Sequence, residues 1–318
     1  TPRFDQFVEP GGYLWWYVDG LSDCGQHGIT IIAFVGSVFS PYYHWAGADQ
    51  GKADPNNHVC LNVALYSPGQ SRWCMTERSA RFMSRDAQHF QIGPSQLQWT
   101  GRELLIDVDE WSVPIPRKVR GQIRLSTDRF FHYQQTIDAN GRHRWGPLAP
   151  KARISVDFES PRLRWEGHGY LDSNEGDEPI HVPFHEWDWS RAELRDGSVA
   201  VTYDVRDRAM TQAAAHESSR LITARFHPNG EVSEFSLGPR QKMPRGLWGV
   251  DHSIRSDPNA AAPRLLKSLE DTPFYMRSVV EQTLLGETVQ AFHETLYLPR
   301  VRSGVVRWML PWRMPRRI

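Results

Sequence analysis

Short apolar segments separated by turn residues recur along the whole chain. They are rich in β-branched and aromatic residues. Turn signals follow one another about every ten to fifteen residues, a spacing typical of meanders and barrels rather than of βαβ units. We therefore predict an all-β fold with strands at residues 13–20, 28–36, 58–67, 72–77, 103–111, 119–127, 152–158, 162–172, 198–207, 220–230, 232–238 and 288–298.

Three further patterns refine this picture. The Asn-Gly step within 227–232 predicts a hairpin turn, because these residues accept positive φ. Helical periodicity is scarce, and residues 261–271 (AAPRLLKSLED) are the best helix candidate. A polar stretch at 171–184 precedes a restart of the strand pattern. We therefore predict two β domains, at 1–178 and 179–318.

Composition excludes several classes of protein. The 318 residues include 37 basic and 37 acidic ones, so the net charge gives no reason to expect nucleic-acid binding. The longest apolar run, 29–36, is far shorter than the ~20 residues that cross a bilayer, so we expect no transmembrane segment. The three cysteines, Cys24, Cys60 and Cys74, leave one unpaired in any disulfide scheme, and we expect buried free thiols.

Aromatic side chains are concentrated near the start of the chain. We take the following as candidate substrate-binding residues: Trp15, Trp16, Tyr17, Phe39, Tyr42, Tyr43 and Trp45. A strand made of aromatic residues has no polar face, so both of its sides must be covered. Packing in a core and a groove for a long hydrocarbon both meet this requirement.

Two pairs of residues carry candidate chemistry. His143 and Trp145 are two positions apart, as are Tyr170 and Asp172, so on strands each pair points to one face. Together they supply a base, an acid and two electron-rich rings. Taken alone, the local pattern favours a surface histidine and an aspartate that begins a turn. A carboxylate pair of the glycosidase type also stays open, formed by Asp172 with Glu178 or Asp204.

Other templates give weaker signals. The sequence has no nucleotide-binding loop, no zinc-protease motif and no nucleophile elbow. His185, Glu186 and Asp188 lie close together, but alternation on a strand would turn His185 and Glu186 to opposite faces. We therefore predict no metal site there.

The last residues, 301–318, differ in kind from the rest of the chain. They contain no acid, and arginines alternate with apolar residues: Arg302, Arg307, Arg313, Arg316 and Arg317 with Trp308, Met309, Leu310 and Trp312. Arginine interleaved with tryptophan is what an interfacial anchor to anionic lipid needs. A tail packed on its domain, with solvated arginines, explains the pattern equally well.

Five segments together resemble one family, the carotenoid 1,2-hydratases, also called hydroxyneurosporene synthases: residues 11–46, 57–78, 143–150 (HRWGPLAP), 167–179 (GHGYLDSNEGDEP) and 310–316 (LPWRMPR). The resemblance implies two lipocalin-like domains of barrel or sandwich type. It implies hydration of the terminal C1=C2 double bond of acyclic carotenoids such as neurosporene and lycopene, without a cofactor or a metal. It also implies a peripheral position on the cytoplasmic side of a bacterial membrane, in contact with lipid.

The family has a His-x-Trp pair followed by a Tyr-x-Asp pair among its functional residues. These match His143 with Trp145 and Tyr170 with Asp172, so the resemblance implies that the four are catalytic. We expect Asp172 to protonate the alkene, the two rings to stabilise the cation, and His143 to orient the water and accept its proton. A lipocalin-type carotenoid or lipid carrier and a related polyene cyclase remain alternatives, because fold alone does not decide function.

Overall fold

The computed structural model describes residues 1–50, 52–208 and 220–318, with the backbone alone at 48–50. Strand accounts for 53% of the structure and helix for 9%, which confirms the all-β prediction. The chain divides into two compact units. The first contains Thr1–Ile180 together with Arg307–Ile318, and the second contains His181–Val306. The end of the chain therefore belongs to the first unit.

The first unit begins with twelve strands and a helix within its described residues. The strands are β1 (Tyr13–Ser22), β2 (Gly28–Val35), β3 (Val59–Tyr66), β4 (Arg72–Arg78), β5 (Met83–Arg85), β6 (His89–Ile92), β7 (Ser95–Trp99), β8 (Glu103–Trp111), β9 (Lys118–Ser126), β10 (Gln135–Thr136), β11 (His143–Ser160) and β12 (Leu163–Gly176). The helix is α1 (Pro41–Gln50), and short 3-10 turns span Pro55–Asn57 and Ala80–Phe82.

The second unit contains strands β13 (Phe184–Glu193), β14 (Val199–Asp207), β15 (Arg220–Phe226), β16 (Val232–Ser233), β17 (Gln241–Lys242), β18 (Ser253–Ile254), β19 (Arg264–Asp271), β20 (Tyr275–Leu284) and β21 (Glu287–Tyr297). Seven of them form an antiparallel sheet in the order β16-β15-β14-β13-β21-β20-β19, while β17 pairs with β18. Strands β15 and β16 pair across the Asn-Gly turn, which confirms the predicted hairpin. The chain ends with α2 (Leu298–Val301), α3 (Gly304–Met309), a 3-10 turn (Leu310–Trp312) and β22 (Arg316–Arg317).

The strands of the first unit form one curled sheet, in the order β22-β4-β3-β2-β1-β12-β11-β9-β8-β7-β6-β5, with β10 beside β11. In this order five strands separate β1 from β6, yet the rings of Trp16 and Phe90 lie 5.6 Å apart. The sheet must therefore curl to bring its distant strands together. The result is a lipocalin-like half-barrel, as predicted.

One face of this sheet supplies the hydrophobic core. Leu14, Trp16 and Val18 of β1 pack there with apolar residues from the strands on both sides. Side chains of a strand alternate, so the residues between them point to the other face. On that other face, β12 is exposed from Arg164 to His168 but buried at Tyr170, Asp172 and Asn174. On β12 the second face is thus buried only along its last part, where Tyr170 and Asp172 lie.

The predicted helix at 261–271 is wrong, because residues 264–271 form strand β19. This strand ends the sheet order of the second unit and pairs with β20 alone, with two register shifts. An edge strand buries little of either face, so its sequence lacks the regular alternation of a half-buried strand. The leucines that suggested helical periodicity are half-buried or exposed.

The aromatic residues at 42–45 lie on helix α1 and not on a strand. Pro41 begins the helix, and the Ser40 Oγ accepts hydrogen bonds from the backbone N–H of Tyr42 (3.1 Å) and Tyr43 (3.4 Å). Serine at the N-cap and proline at the first helical position are strong helix-start signals. These two residues therefore outweigh the β-propensity of the aromatic run.

Cys60 and Cys74 are buried free thiols, as predicted, whereas Cys24 is exposed. Cys24 lies in the turn between β1 and β2, where the chain reaches the surface. The proline-containing segment after Trp145 continues strand β11. Register shifts at Pro147–Ala149 and Ala149–Ala152 accommodate its prolines.

The end of the chain is fixed to strand β4. Strand β22 pairs with β4 in parallel, Arg316 forms an ion pair with Glu77, and the Arg313 guanidinium lies 4.8 Å from the ring centre of Trp73. Trp308 and Trp312 remain 71% and 74% exposed. Among the described residues, no helix is long and apolar enough to cross a membrane.

Candidate active site

The candidate catalytic residues lie on strands β11 and β12, on the face opposite the core, and β12 pairs on its other side with the aromatic strand β1. Their register arranges the side chains in rows across the sheet. Row one contains Tyr13, Gly176 and His143. Row two contains Trp15, Asn174 and Trp145, and row three contains Tyr17, Asp172 and Pro147. Row four contains Asp19 and Tyr170.

Asp172 is one of two acids in these rows, with Asp19, and it is only 3% exposed. The indole Nε1–H of Trp145 donates a hydrogen bond to its Oδ2 at 2.8 Å, and the hydroxyl of Tyr170 donates to the same oxygen at 2.8 Å. Two donors on one oxygen fix the carboxyl group in a single orientation. A protonated Asp172 would then carry its proton on Oδ1.

Aromatic rings surround the acid on the same face. The rings of Tyr17 and Tyr170 meet edge to face at 6.0 Å, and Tyr13 stacks on Trp15 at 4.7 Å. The Tyr17 hydroxyl donates to Asp19, which is fully buried. The polar atoms of this face therefore lie among ring faces and edges, a setting that suits an apolar, electron-rich ligand.

His143 is fully buried and is not the surface histidine that its local sequence suggests. Its Nδ1 lies 2.8 Å from the hydroxyl of Tyr13, and its Nε2 lies 3.6 Å from a carboxylate oxygen of Glu178. Its backbone N–H donates to Asp138 at 2.8 Å. Burial lowers the pKa of His143, and the charges of Asp138 and Glu178 oppose this change. The imidazole is therefore neutral near pH 7.

Gly176 makes the contact between Tyr13 and His143 possible. A Cβ at position 176 would lie 2.4 Å from Cε1 of Tyr13 and 2.6 Å from Nδ1 of His143. Both distances are well inside van der Waals contact. The two rings therefore meet directly above the glycine, and any other residue there would push them apart.

Only some of the candidate substrate-binding residues lie in or beside the rows. Trp15 and Tyr17 lie in rows two and three, whereas Trp16 packs in the core against Phe4 at 4.9 Å and so is turned away from Asp172. Phe39 reaches the rows through Phe34. The ring of Phe34 lies 5.8 Å from Phe39 and 5.6 Å from Trp15.

The three residues on α1 form no part of the rows. Tyr43 is buried, and its hydroxyl donates to the carbonyl of Gly12 at 2.6 Å, which ties the helix to the start of β1. Tyr42 meets Trp45 edge to face at 5.6 Å, and Trp45 is 40% exposed. Their contacts explain the position of the helix.

The other acidic candidates have cationic partners of their own. Glu178 forms an ion pair with Arg142 at 3.0 Å, in addition to its contact with His143. Asp204 lies in the second unit and accepts a hydrogen bond from Arg255 at 2.6 Å.

The three metal-ligand candidates at positions 185, 186 and 188 also contact other side chains. His185 packs against Tyr297, while Glu186 and Asp188 both pair with Arg206. Within the described ranges, no group of three or more His, Cys, Asp or Glu residues is placed to hold a metal ion.

The candidates chosen from the sequence leave out several members of this site: Tyr13, Asp19, Phe34, Asp138, Asn174 and Gly176. Tyr13 and Asn174 each continue an alternating series that contains a predicted residue, Trp15 in one case and Asp172 in the other. Extending each series by two positions would have found them. Phe34 and Asp138 are brought in by pairing and by a loop, and no local pattern identifies them.

Comparison with known proteins identifies the family of the chain. The family model described as carotenoid hydratase CrtC matches residues 31–318. The chain belongs to the carotenoid hydratase CrtC family. Two relatives are each described as an acyclic carotenoid 1,2-hydratase. The one from Rubrivivax gelatinosus is 54% identical and matches 100% of this chain and 76% of its own length. The one from Thiocapsa roseopersicina is 49% identical, over 99% and 76%.

Solved structures share the fold of this carotenoid hydratase family member at low sequence identity. An AttH-type protein from Nitrosomonas europaea superimposes with a TM-score of 0.63 at 15% identity, over 89% of this chain and 91% of its own. The structure of CghA with Sch210972 gives a TM-score of 0.50 at 12% identity, over 93% and 94%. At such identities the likeness concerns the fold alone.

We expect Gly176→Ala to lower the activity of this carotenoid hydratase family member by at least tenfold, because the added Cβ separates Tyr13 from His143. A steady-state assay on a carotenoid substrate measures the effect. Gly304→Ala is the matched control, since its Cβ would meet no atom within 4 Å. Equal activity in both variants would show that the contact in row one is dispensable.

Proposed function

We propose that the protein hydrates the terminal C1=C2 double bond of acyclic carotenoids, such as neurosporene and lycopene, to 1-hydroxy-1,2-dihydro products. Its close relatives carry the name acyclic carotenoid 1,2-hydratase, which supports this substrate class. The observation that carries the proposal is the buried carboxyl group of Asp172, held by Trp145 and Tyr170 on a face lined with rings. We propose further that the reaction needs no cofactor.

The first step is transfer of a proton from Asp172 to C2. The O–H bond of the acid breaks, the π electrons of the alkene form the new C2–H bond, and a tertiary cation remains at C1. Burial favours the neutral form of a carboxylic acid because the charged form loses its hydration. A neutral acid is the form that this step requires.

The cation is stabilised by the rings beside the acid. Trp145 and Tyr170 both donate a hydrogen bond to the carboxyl group of Asp172. They therefore lie close to any carbon that Asp172 protonates. A cation over an aromatic face gains ~2 kcal/mol when it is desolvated. Since each 1.36 kcal/mol is tenfold in rate, the two rings together could supply roughly a thousandfold.

The second step is capture of the cation by water. An oxygen lone pair forms the C1–O bond, and the water loses a proton. The hydroxyl of Tyr13, which is hydrogen-bonded to Nδ1 of His143, relays this proton, and His143 accepts it. Glu178, at 3.6 Å from Nε2, stabilises the imidazolium that forms. Release of this proton from the imidazolium of His143 to solvent, and uptake of one from solvent by Asp172, return both groups to their starting states.

We also propose that the protein contacts lipid peripherally, on the cytoplasmic side of a bacterial membrane. Trp312 and Ile318 are each 74% exposed, although β22 fixes this end of the chain to β4. The loop after β8 is held at the same strand by a hydrogen bond from Val113 N–H to the Trp73 carbonyl, and its Ile115 is 63% exposed. One edge of the first unit thus presents apolar side chains beside arginines, which suits an anionic lipid surface.

The central prediction concerns Asp172→Asn, which keeps the shape and polarity of the side chain but removes its acidic proton. We expect product formation to fall by about 10²- to 10⁴-fold, the usual contribution of a positioned acid. The assay is incubation with lycopene in ¹⁸O-labelled water, followed by mass spectrometry. Asp157→Asn is the control, because Asp157 is a half-exposed residue of β11 paired with Arg164.

The outcomes distinguish a hydratase from a carrier and from a cyclase. One labelled oxygen in the wild-type product, with little product from Asp172→Asn, supports acid-catalysed hydration. Wild-type rates in Asp172→Asn would exclude the acid role. Bound but unchanged carotenoid in the wild-type sample would favour the carrier, and a rearranged product without label would favour the cyclase.

A second prediction follows from the charge beside His143. The mechanism needs neutral His143, so kcat/KM falls as the pH drops through the pKa of His143. Glu178 raises this pKa, so Glu178→Gln should lower it and extend activity to lower pH. The pH profile of kcat/KM measures the shift. Glu175→Gln, which removes a partner of Arg144, is the control, and an unchanged acidic limb in Glu178→Gln would argue against His143 as the base.

The lipid contact makes a third prediction. The double variant Trp308→Ser with Trp312→Ser should reduce the fraction bound to anionic vesicles several-fold, because exposed tryptophans favour the bilayer interface. Co-sedimentation with vesicles measures it. Leu247→Ser is the control, since Leu247 is 99% exposed and lies in the second unit. Equal losses in the two variants would mean that the end of the chain is not the anchor.

A further inference from the structure

Asn174 is a buried amide in the middle of the rows. It is 4% exposed and lies on β12, paired with Trp15 of β1 and with Trp145 of β11. Within residues 1–50, 52–208 and 220–318, its Oδ1 meets no hydrogen-bond donor. A buried acceptor without a donor costs stability, so nearly all such atoms have a protein or water partner.

The position of Asn174 matters because its row lies between the row of the acid and the row of the base. Residues two apart on a strand are separated by about 6.6–6.8 Å, so Asn174 is one step from Asp172. Gly176, which pairs with His143, is four residues from Asp172 and therefore about 13 Å from it along the strand. The two carbons of one double bond span far less than that. A water that attacks C1 while Asp172 faces C2 must therefore be held near row two.

We propose that Asn174 Oδ1 accepts a hydrogen bond from the water that captures the cation. This inference rests on the proposed hydration. One O–H of the water points to Asn174 and the other to the Tyr13–His143 pair, so an oxygen lone pair faces C1. The lone pair forms the C1–O bond, and the second O–H gives its proton toward His143. The sequence-based prediction assigned His143 both to orient the water and to accept its proton, and the geometry assigns the first of these roles to Asn174.

The test compares two substitutions of similar size. Asn174→Leu removes the acceptor, whereas Asn174→Asp keeps an acceptor oxygen whether or not it is protonated. Because Asn174 touches water and not the hydrocarbon, we expect Asn174→Leu to lower kcat about 10- to 100-fold, with KM for lycopene within about twofold of the wild type. Asn174→Asp should recover most of the lost kcat. Circular dichroism of both variants checks that they fold.

A competing nucleophile gives a readout that a purely structural role would not change. In buffer with methanol, capture of the cation by methanol gives the methyl ether, with loss of the methanol O–H proton. If Asn174 selects water, the ratio of ether to alcohol should rise several-fold in Asn174→Leu and return toward the wild-type ratio in Asn174→Asp. An unchanged ratio in both variants, or a wild-type kcat in Asn174→Leu, would overturn the inference.

The wild-type reaction distinguishes this failure from failure of the proposed function. If the wild type forms no alcohol, the proposed hydration itself is wrong. If the wild type forms alcohol and Asn174→Leu changes neither kcat nor the ether ratio, only the role of Asn174 is wrong. Asp172→Asn, run in parallel, tests the acid separately.

Discussion

Strand β12 pairs with β1 on one side and with β11 on the other, and the register of these pairings decides which side chains meet. Side chains of a strand alternate between faces, so a slip of one residue would turn Asp172 toward the core and bring Leu171 to the other face. The hydrogen bond from Trp145 to Asp172 also crosses between two strands, and it forms only in this register. The arrangement of the catalytic side chains therefore depends on the backbone pairing of these three strands.

Burial is the second constraint on the site. The carboxyl group of Asp172, the imidazole of His143 and the amide of Asn174 are all removed from solvent. Burying a polar group is costly unless it is hydrogen-bonded, and tyrosine and tryptophan side chains supply such bonds to Asp172 and His143 without adding charge. The same side chains surround these two groups with aromatic rings.

The sequence predicted most strands, because alternation is visible wherever one face is buried. Sequence-based prediction failed for strands that lack one clearly buried and one clearly exposed face. Strand β19 buries too little to alternate, and β20 was missed because Arg277 lies fully buried within it, paired with Glu294 of the next strand. The site was predictable in part for the same reason: two positions along a strand share a face, which gives His143 with Trp145. Contacts across strands, such as that of His143 with Tyr13, depend on a register that no local pattern encodes.

Gly176 bears on how such a site could change over evolutionary time. Its missing side chain leaves the space in which the rings of Tyr13 and His143 touch. Every substitution at this position adds at least a methyl group, and a methyl group there collides with both rings. Variation around this contact must therefore arise from the flanking strands, through exchange of the rings themselves. The glycine thus narrows the routes by which a descendant enzyme could acquire a new substrate.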